Sequence, residues 1–206
     1  MDEVSSLTNK EDSPKWVCID FVDTVEWRAS DNPTDRLTDY ARLLLWSERN
    51  SVLSSAVANR LREKAAAYPT EASAAFDDAI ALREAIYRIF FAVANNLTRH
   101  KADIELLNRV HREAMTHKRL NETGGAFSWH WSGEDESLHS PIWRIAESAA
   151  NLLTAPEIKM MKTCPGEGCA WLFLDTSRNH SRRWCEMQLC GNRTKVRKHR
   201  SSASLR

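Results

Sequence analysis

Four of the chain's five cysteines stand in two pairs, Cys164-x4-Cys169 and Cys185-x4-Cys190, with 15 residues between the pairs. Thiolates are soft ligands, and zinc takes four of them at the corners of a tetrahedron, two from each short loop. The first loop, Pro165-Gly166-Glu167-Gly168, carries glycines that allow the tight turn needed to aim two sulfurs at one ion. The spacing therefore predicts one zinc ion per chain, held by Cys164, Cys169, Cys185 and Cys190. Four sulfur ligands leave no position for a reactive water, so the expected role is structural. The fifth cysteine, Cys18, lies in the apolar run "WVCIDF" and reads as a small buried hydrophobe.

The second chemical signal is positive charge. From Arg178 to the C-terminal Arg206 there are nine Lys and Arg against one acid, Glu186. Arg178, Arg182 and Arg183 precede the third cysteine. Arg193, Lys195, Arg197, Lys198 and Arg200 follow the fourth, on a predicted final helix where Arg193 and Arg197 share a face. Phosphate recognition needs several cations on a firm scaffold, so these eight are the candidate nucleic-acid contacts. Two plainer readings compete: a solvated basic helix whose cations complement its dipole, and a basic tail docked on an acidic remainder. Arg182 and Arg183 adjoin a ligand cysteine and could brace the finger, with Asp175 as a partner. Trp171, Phe173 and Trp184 read as packing for a tiny core rather than as platforms for bases.

The acidic remainder exists. Residues 1–158 hold 18 Lys and Arg against 25 Asp and Glu, a net −7, whereas residues 159–206 hold 11 against 3, a net +8. The whole-chain charge of +1 hides this split, which suggests two modules with different partners. At 206 residues, 42% hydrophobic and 28% charged, the composition is that of an ordinary globular protein. No apolar run approaches the ~20 residues of a membrane span, and the opening MDEVSSLTNKEDSPK has no signal-peptide pattern, so a cytoplasmic protein without membrane contact is expected.

The positioning elements follow from hydrophobic period. Residues 1–13 read as disordered and "KWVCIDFVDTVEWR" reads first as a strand, its later half able to open a helix. Thr34 is a plausible N-cap for a helix with Leu37, Tyr40, Ala41 and Leu44 inward. Leu53, Val57 and Leu61 mark the next helix, ended by Pro69. A long helix follows, with Phe76, Ala79, Leu82, Ile86, Phe90 and Val93 on a wide apolar face, and then another with Leu107, Val110 and Ala114 inward. The alternation Phe127-Ser-Trp129-His-Trp131 predicts a strand or hairpin edge, Ser140-Pro141 a helix start, and "EIKMMKTC" and "WLFLDTS" short strands. The fold class is α+β: a mainly helical N-terminal domain over 14–157 with a few short strands, and a treble-clef-like zinc finger with a basic helix over 158–206.

The helical domain is the candidate sensing or dimerising part. Trp27, Trp46, Trp129, Trp131 and Trp143 could wall a pocket for a small-molecule effector. Asp20, Thr24, Arg28 and Arg83 would be its polar groups, or would form a structural ion pair instead; with Trp129 and Trp131 they make the candidate ligand set. An enzyme is not expected: the histidines are scattered, and HExxH, GxSxG and a glycine-rich phosphate loop are missing.

"CAWLFLDTSRNHSRRWC" followed by "CGNRTKVRKHR" resembles the CGNR zinc finger family, named for the residues that here are Cys190-Gly191-Asn192-Arg193. The match spans roughly residues 160–200. In that family the finger follows an ABATE domain linked with stress-induced transcription regulation. "Asp20-Phe21-Val22-Asp23-Thr24" resembles that domain's DFxNT signature, with Asp23 where Asn is usual, and "LREAIYRIF" (82–90) resembles it too. The resemblance implies a DNA-binding transcription regulator, possible as a homodimer. The alternatives are a small-molecule-binding or protein-interaction protein with a purely structural finger, and an RNA-binding module.

Overall fold

The computed structural model describes residues 16–203, with side chains as far as Arg197. The expected disorder of residues 1–13 lies outside the described residues. So do the side chains of Lys198 and Arg200.

Six helices surround the main apolar core: α1 (Val17–Val22), α2 (Tyr40–Arg49), α3 (Ser55–Ala67), α4 (Pro69–Ala94), α5 (Lys101–His117) and α6 (Ser140–Thr154). The 26-residue α4 is the axis, in contact with all five others. Proline in its first turn suits a helix start, and its small residues Ala72, Ala75, Ala79 and Ala85 let neighbours approach while Leu82, Ile86, Ile89 and Phe90 fill the core. Its sequence face was legible from period alone.

Among the described residues there are three antiparallel two-stranded ribbons: β1 (Val25–Glu26) with β2 (Thr34–Asp35), β3 (Lys118–Thr123) with β4 (Ala126–Trp131), and β5 (Met161–Thr163) with β6 (Leu172–Leu174). A 3-10 turn, Pro156–Met160, joins α6 to β5. The finger ends in a π-helical turn, Met187–Gly191, that runs into α7 (Asn192–Ala203).

Three expectations are corrected. The segment read as a strand at 15–28 is α1 followed by the two-residue β1. Its apolar residues occupy both periods at once; the helix wins because it sends Cys18, Phe21 and Val22 into the core together. Thr34 lies in β2, and the cap of α2 is Asp39, whose carboxylate accepts from the Arg42 N–H at 2.8 Å. Ala41 is exposed, and the inward face of α2 is Tyr40, Leu43, Leu44 and Ser47.

The finger does not stand apart from the helices. Met161 and Leu172 belong to the main core, and β5 and β6 pack on α4. The structural role expected of zinc is therefore shared: part of the finger's apolar surface is buried in the neighbouring domain.

Candidate metal centre and basic face

Three of the four paired cysteines are buried and Cys185 is half-buried, and their sulfurs all lie within 4.8 Å of one another. Cys169 Sγ is 3.6 Å from Cys185 Sγ, which is 3.7 Å from Cys190 Sγ. A zinc ion with Zn–S of about 2.3 Å requires a tetrahedron edge of about 3.8 Å, so these separations fit a closed four-sulfur shell.

The chemistry of the sulfurs agrees with their spacing. As bare thiols they share protons. Hydrogen bonds from Cys169 and Cys185 hold the Cys164 thiol below its usual range, and the bond to Cys164 pushes the Cys169 thiol above it. A divalent cation replaces those protons and stabilises all four as thiolates. The four cysteines can thus hold one zinc ion, as their spacing predicts.

The loops aim the sulfurs by backbone bonds. Cys169 N–H donates to Gly166 O at 2.8 Å, and Cys164 N–H to Trp171 O at 2.8 Å. Gly168 takes φ +71°, a left-handed conformation that glycine adopts without strain. A Cβ at Gly191 would lie 2.4 Å from Met187 Sδ, a contact the exposed, flexible Met187 side chain relieves by turning, whereas a Cβ at Gly166 would meet the ligand sulfur Cys190 Sγ at 3.0 Å. Asp175, fully buried, accepts from Lys162 Nζ at 2.5 Å and from the Ser177 N–H and hydroxyl. Burial pushes its carboxyl up, but Lys162 and Ser177 outweigh burial and hold it below the usual range. The expected pairing of Asp175 with Arg182 or Arg183 is therefore replaced by Lys162, which also donates to His180 O at 2.7 Å and fixes the 175–182 loop.

Around the sulfurs pack Phe173, Trp171, Trp184 and Trp27. Trp27 comes from the N-terminal domain, and sequence reasoning placed it in a ligand pocket instead. It sits at φ +53°, a costly conformation for a bulky side chain, held by the Ser30 N–H bond to its carbonyl at 2.8 Å. No local sequence signal marks it. Further bonds stitch the same seam: Trp171 Nε1 donates to Val25 O at 2.7 Å, Ala29 N–H to Gly168 O at 3.0 Å, and Tyr87 OH to Ala170 O at 3.1 Å. Asp23 Oδ1 accepts from the Leu172 N–H at 3.0 Å, and burial pushes its carboxyl well above the usual range.

The eight candidate cations divide. Arg182 donates to the carbonyls of Trp184 and Cys185 and lies over Phe173, so it braces the finger. Arg193 stacks 4.2 Å from the Trp27 ring centre, and Arg197 pairs with Glu167. Arg193 and Arg197 do share a face, which looks into an open cleft completed by Trp27, Ser30 and Asp31. Arg183 lies over its neighbour Trp184. Arg178 and Lys195 are exposed and have no side-chain partner among the described residues.

The candidate ligand set is not brought together. Arg83, buried in α4, makes two bonds to Asp35 (2.8 and 2.6 Å), one to Thr24 (3.1 Å) and one to Glu84 (3.0 Å). Arg28 pairs with Glu84 at 2.5 Å and lies over Tyr87. Asp20 sits half-buried in the first turn of α1. The Arg28, Arg83 and Thr24 group forms an ion-pair network, the structural alternative read from sequence. Trp131 packs on Trp143 and Trp129 is exposed, both on the β3–β4 ribbon with no partner in common with that network. An open groove does occur between α2, α3 and α4, lined by Tyr40, Leu44, Arg62 and Phe76, and it contains none of the expected ligand residues.

A helical domain joined through a polar seam to a four-cysteine finger and a basic helix defines a two-module zinc-finger protein. The comparison with family models agrees: the CGNR zinc finger matches residues 160–202, and the family described as "Putative stress-induced transcription regulator" (ABATE) matches residues 16–156. The chain belongs to the ABATE family and carries a CGNR zinc finger. A search of curated proteins gives no match.

Proposed function

We propose that the protein is a DNA-binding transcription regulator whose contacts with phosphate come from the finger. The observation that carries this reading is the unequal use of charge. A formal net +8, about +6 once four thiolates hold a zinc ion, is concentrated on residues 159–206, and on α7 Lys195 is exposed with no side-chain partner among the described residues. The base of α7 is set by the cysteine cluster and by Thr194 Oγ1 donating to Cys190 O at 2.9 Å, so the cations ride on a firm scaffold.

In this reading Arg178, Arg183, Lys195 and Arg197 face DNA, together with Lys198 and Arg200, while Arg182 and Arg193 hold the finger in place. Six phosphate contacts would give a slope of log K against log salt near about −5. Titration of random and genomic duplexes at several salt concentrations tests it. Failure to bind either at low salt ends the DNA reading, and preference for a single-stranded or duplex RNA would move it to the RNA-binding alternative. The reading includes no catalytic step, because the sulfurs fill the metal's coordination shell. A small-molecule effector, if the helical domain takes one, fits the α2–α3–α4 groove better than the Arg28–Arg83 network, whose hydrogen bonds are already made.

A further inference from the structure

We infer that Asn192 and Val196 are the side chains through which α7 reads bases in the major groove of DNA, an inference that rests on the DNA-binding reading above. It starts from the side of α7 that the finger holds. Thr194 is half-buried and its hydroxyl donates to Cys190 O, so Thr194 marks the inward direction. Successive residues of an α-helix turn by about 100°, which sets Asn192 and Val196 each about 160° away from Thr194, on the outward side. Both are exposed, Val196 by 51%. The same rotation puts cations on the two flanks, Arg193 and Arg197 on one and Lys195 on the other. The cleft beside Trp27 opens on the arginine flank, and Asn192 and Val196 stand on its rim.

An uncharged stripe between two charged flanks is what a groove asks of a helix. The flanking cations meet the phosphates of the two strands, and the stripe between them meets the base edges. The Asn192 amide makes no hydrogen bond among the described residues, so its donor and its acceptor are both available. Adenine offers N7 as acceptor and its N6 amino group as donor, which one carboxamide matches with two bonds. Thymine offers a methyl group, which Val196 can cover. Arginine would read guanine instead, but Arg193 is stacked on Trp27 and Arg197 is turned to Glu167. The stripe therefore selects A·T pairs. Asn192 and Val196 are about 6 Å apart along the axis, so the pairs they read lie within about two steps of each other. A helix fits the major groove of B-form DNA, whereas that of duplex RNA is too deep and narrow to admit it.

The test selects tight binders from a library of random DNA duplexes with the zinc-loaded full chain, then changes single atoms of the selected site. Selection should return two A·T pairs at that spacing. Replacing the adenine by 7-deazaadenine removes the N7 acceptor and should weaken wild type about fivefold. Replacing the thymine by uracil removes only the methyl group and should weaken it about fourfold. Asn192→Ala should be blind to the first change and Val196→Ala to the second, each with zinc content, helical circular dichroism and salt slope unchanged. A wild-type chain that binds duplexes without preference, or that selects sites without A·T pairs, overturns base reading by these two residues and leaves phosphate binding by the finger standing. So do variants that lose affinity equally on every duplex, as a purely structural role would make them. Failure to bind any duplex ends both readings.

Discussion

In the helical domain, Arg83 lies 3% exposed with its guanidinium divided among Asp35, Glu84 and Thr24; in the finger, Arg197 is 67% exposed and its carboxylate partner Glu167 is 71% exposed. The two arginines are the same residue in opposite circumstances. Arg83 is a structural member whose donors are spoken for. Arg197 holds a partner in water, where an exposed pair contributes about 0–1 kcal/mol and a phosphate can displace it. The means of holding each region together differ in the same way. The helices bury a continuous apolar core, whereas the finger leans on sulfur, on Lys162 and Arg182 bonded to carbonyls, and on Leu172 and Met161 lent to the neighbouring core.

The sharpest way to break this contrast is to remove the metal. Cys164→Ser, or a strong chelator, should abolish the one zinc per chain expected by elemental analysis. Structural zinc contributes about 10–16 kcal/mol in isolated finger peptides, so the loss should exceed any other single change. Hydrogen exchange should show the amides of 175–203 unprotected while those of α4, α5 and α6 stay slow. A helical domain that unfolds together with the finger would mean that the two regions form one cooperative unit and that the contrast is only local. Next in size is Leu172→Ala. It should cost about 2–5 kcal/mol in urea denaturation with zinc content unchanged, because it opens the shared core and leaves the sulfurs alone.

Some of this was legible in the sequence because it obeys short-range rules. The cysteine spacing, the face of α4 and the Phe127–Trp131 alternation are periodic patterns, and each maps to local geometry. The seam was not legible. Trp27, Val25, Ala29, Tyr87 and Asp23 reach the finger across more than 80 residues of chain, and each hydrogen bond among them ends on at least one backbone atom, which carries no sequence mark. The ligand set divides for a related reason. Asp, Thr and Arg in proximity suit a polar ligand or one another equally well, and only the arrival of Asp35 and Glu84 at Arg83 decides. The pairing of Asp175 with Lys162 was missed because the competing arginines were nearer to Asp175 in sequence.

The seam can be tested at Asp23, the position where the family resemblance has Asn. Asp23→Ala should destabilise by about 1–3 kcal/mol, since it leaves the Leu172 N–H without its acceptor. Asp23→Asn keeps that acceptor and removes the buried charge. Burial raises the folded-state pKa above the unfolded value, so the native state binds the extra proton and wild-type stability falls as pH rises from about 4 through the raised value. The Asn variant should therefore match wild type in acid and exceed it by an amount that grows toward neutral pH. A constant difference across pH would show that Asp23 titrates alike in the folded and unfolded chain.

The smallest effects separate bracing cations from phosphate-facing ones. Arg193→Ala removes the stacking on Trp27 and should cost about 0.5–1 kcal/mol of stability. DNA affinity should fall with it while the salt slope holds, because no phosphate contact is lost. Lys195→Ala should do the reverse: stability unchanged, and the slope shallower by about 1. If Arg193→Ala flattened the slope as much as Lys195→Ala, Arg193 would leave Trp27 on binding DNA. The cleft between α7 and the Trp27 loop would then be the resting arrangement of the finger rather than its bound one.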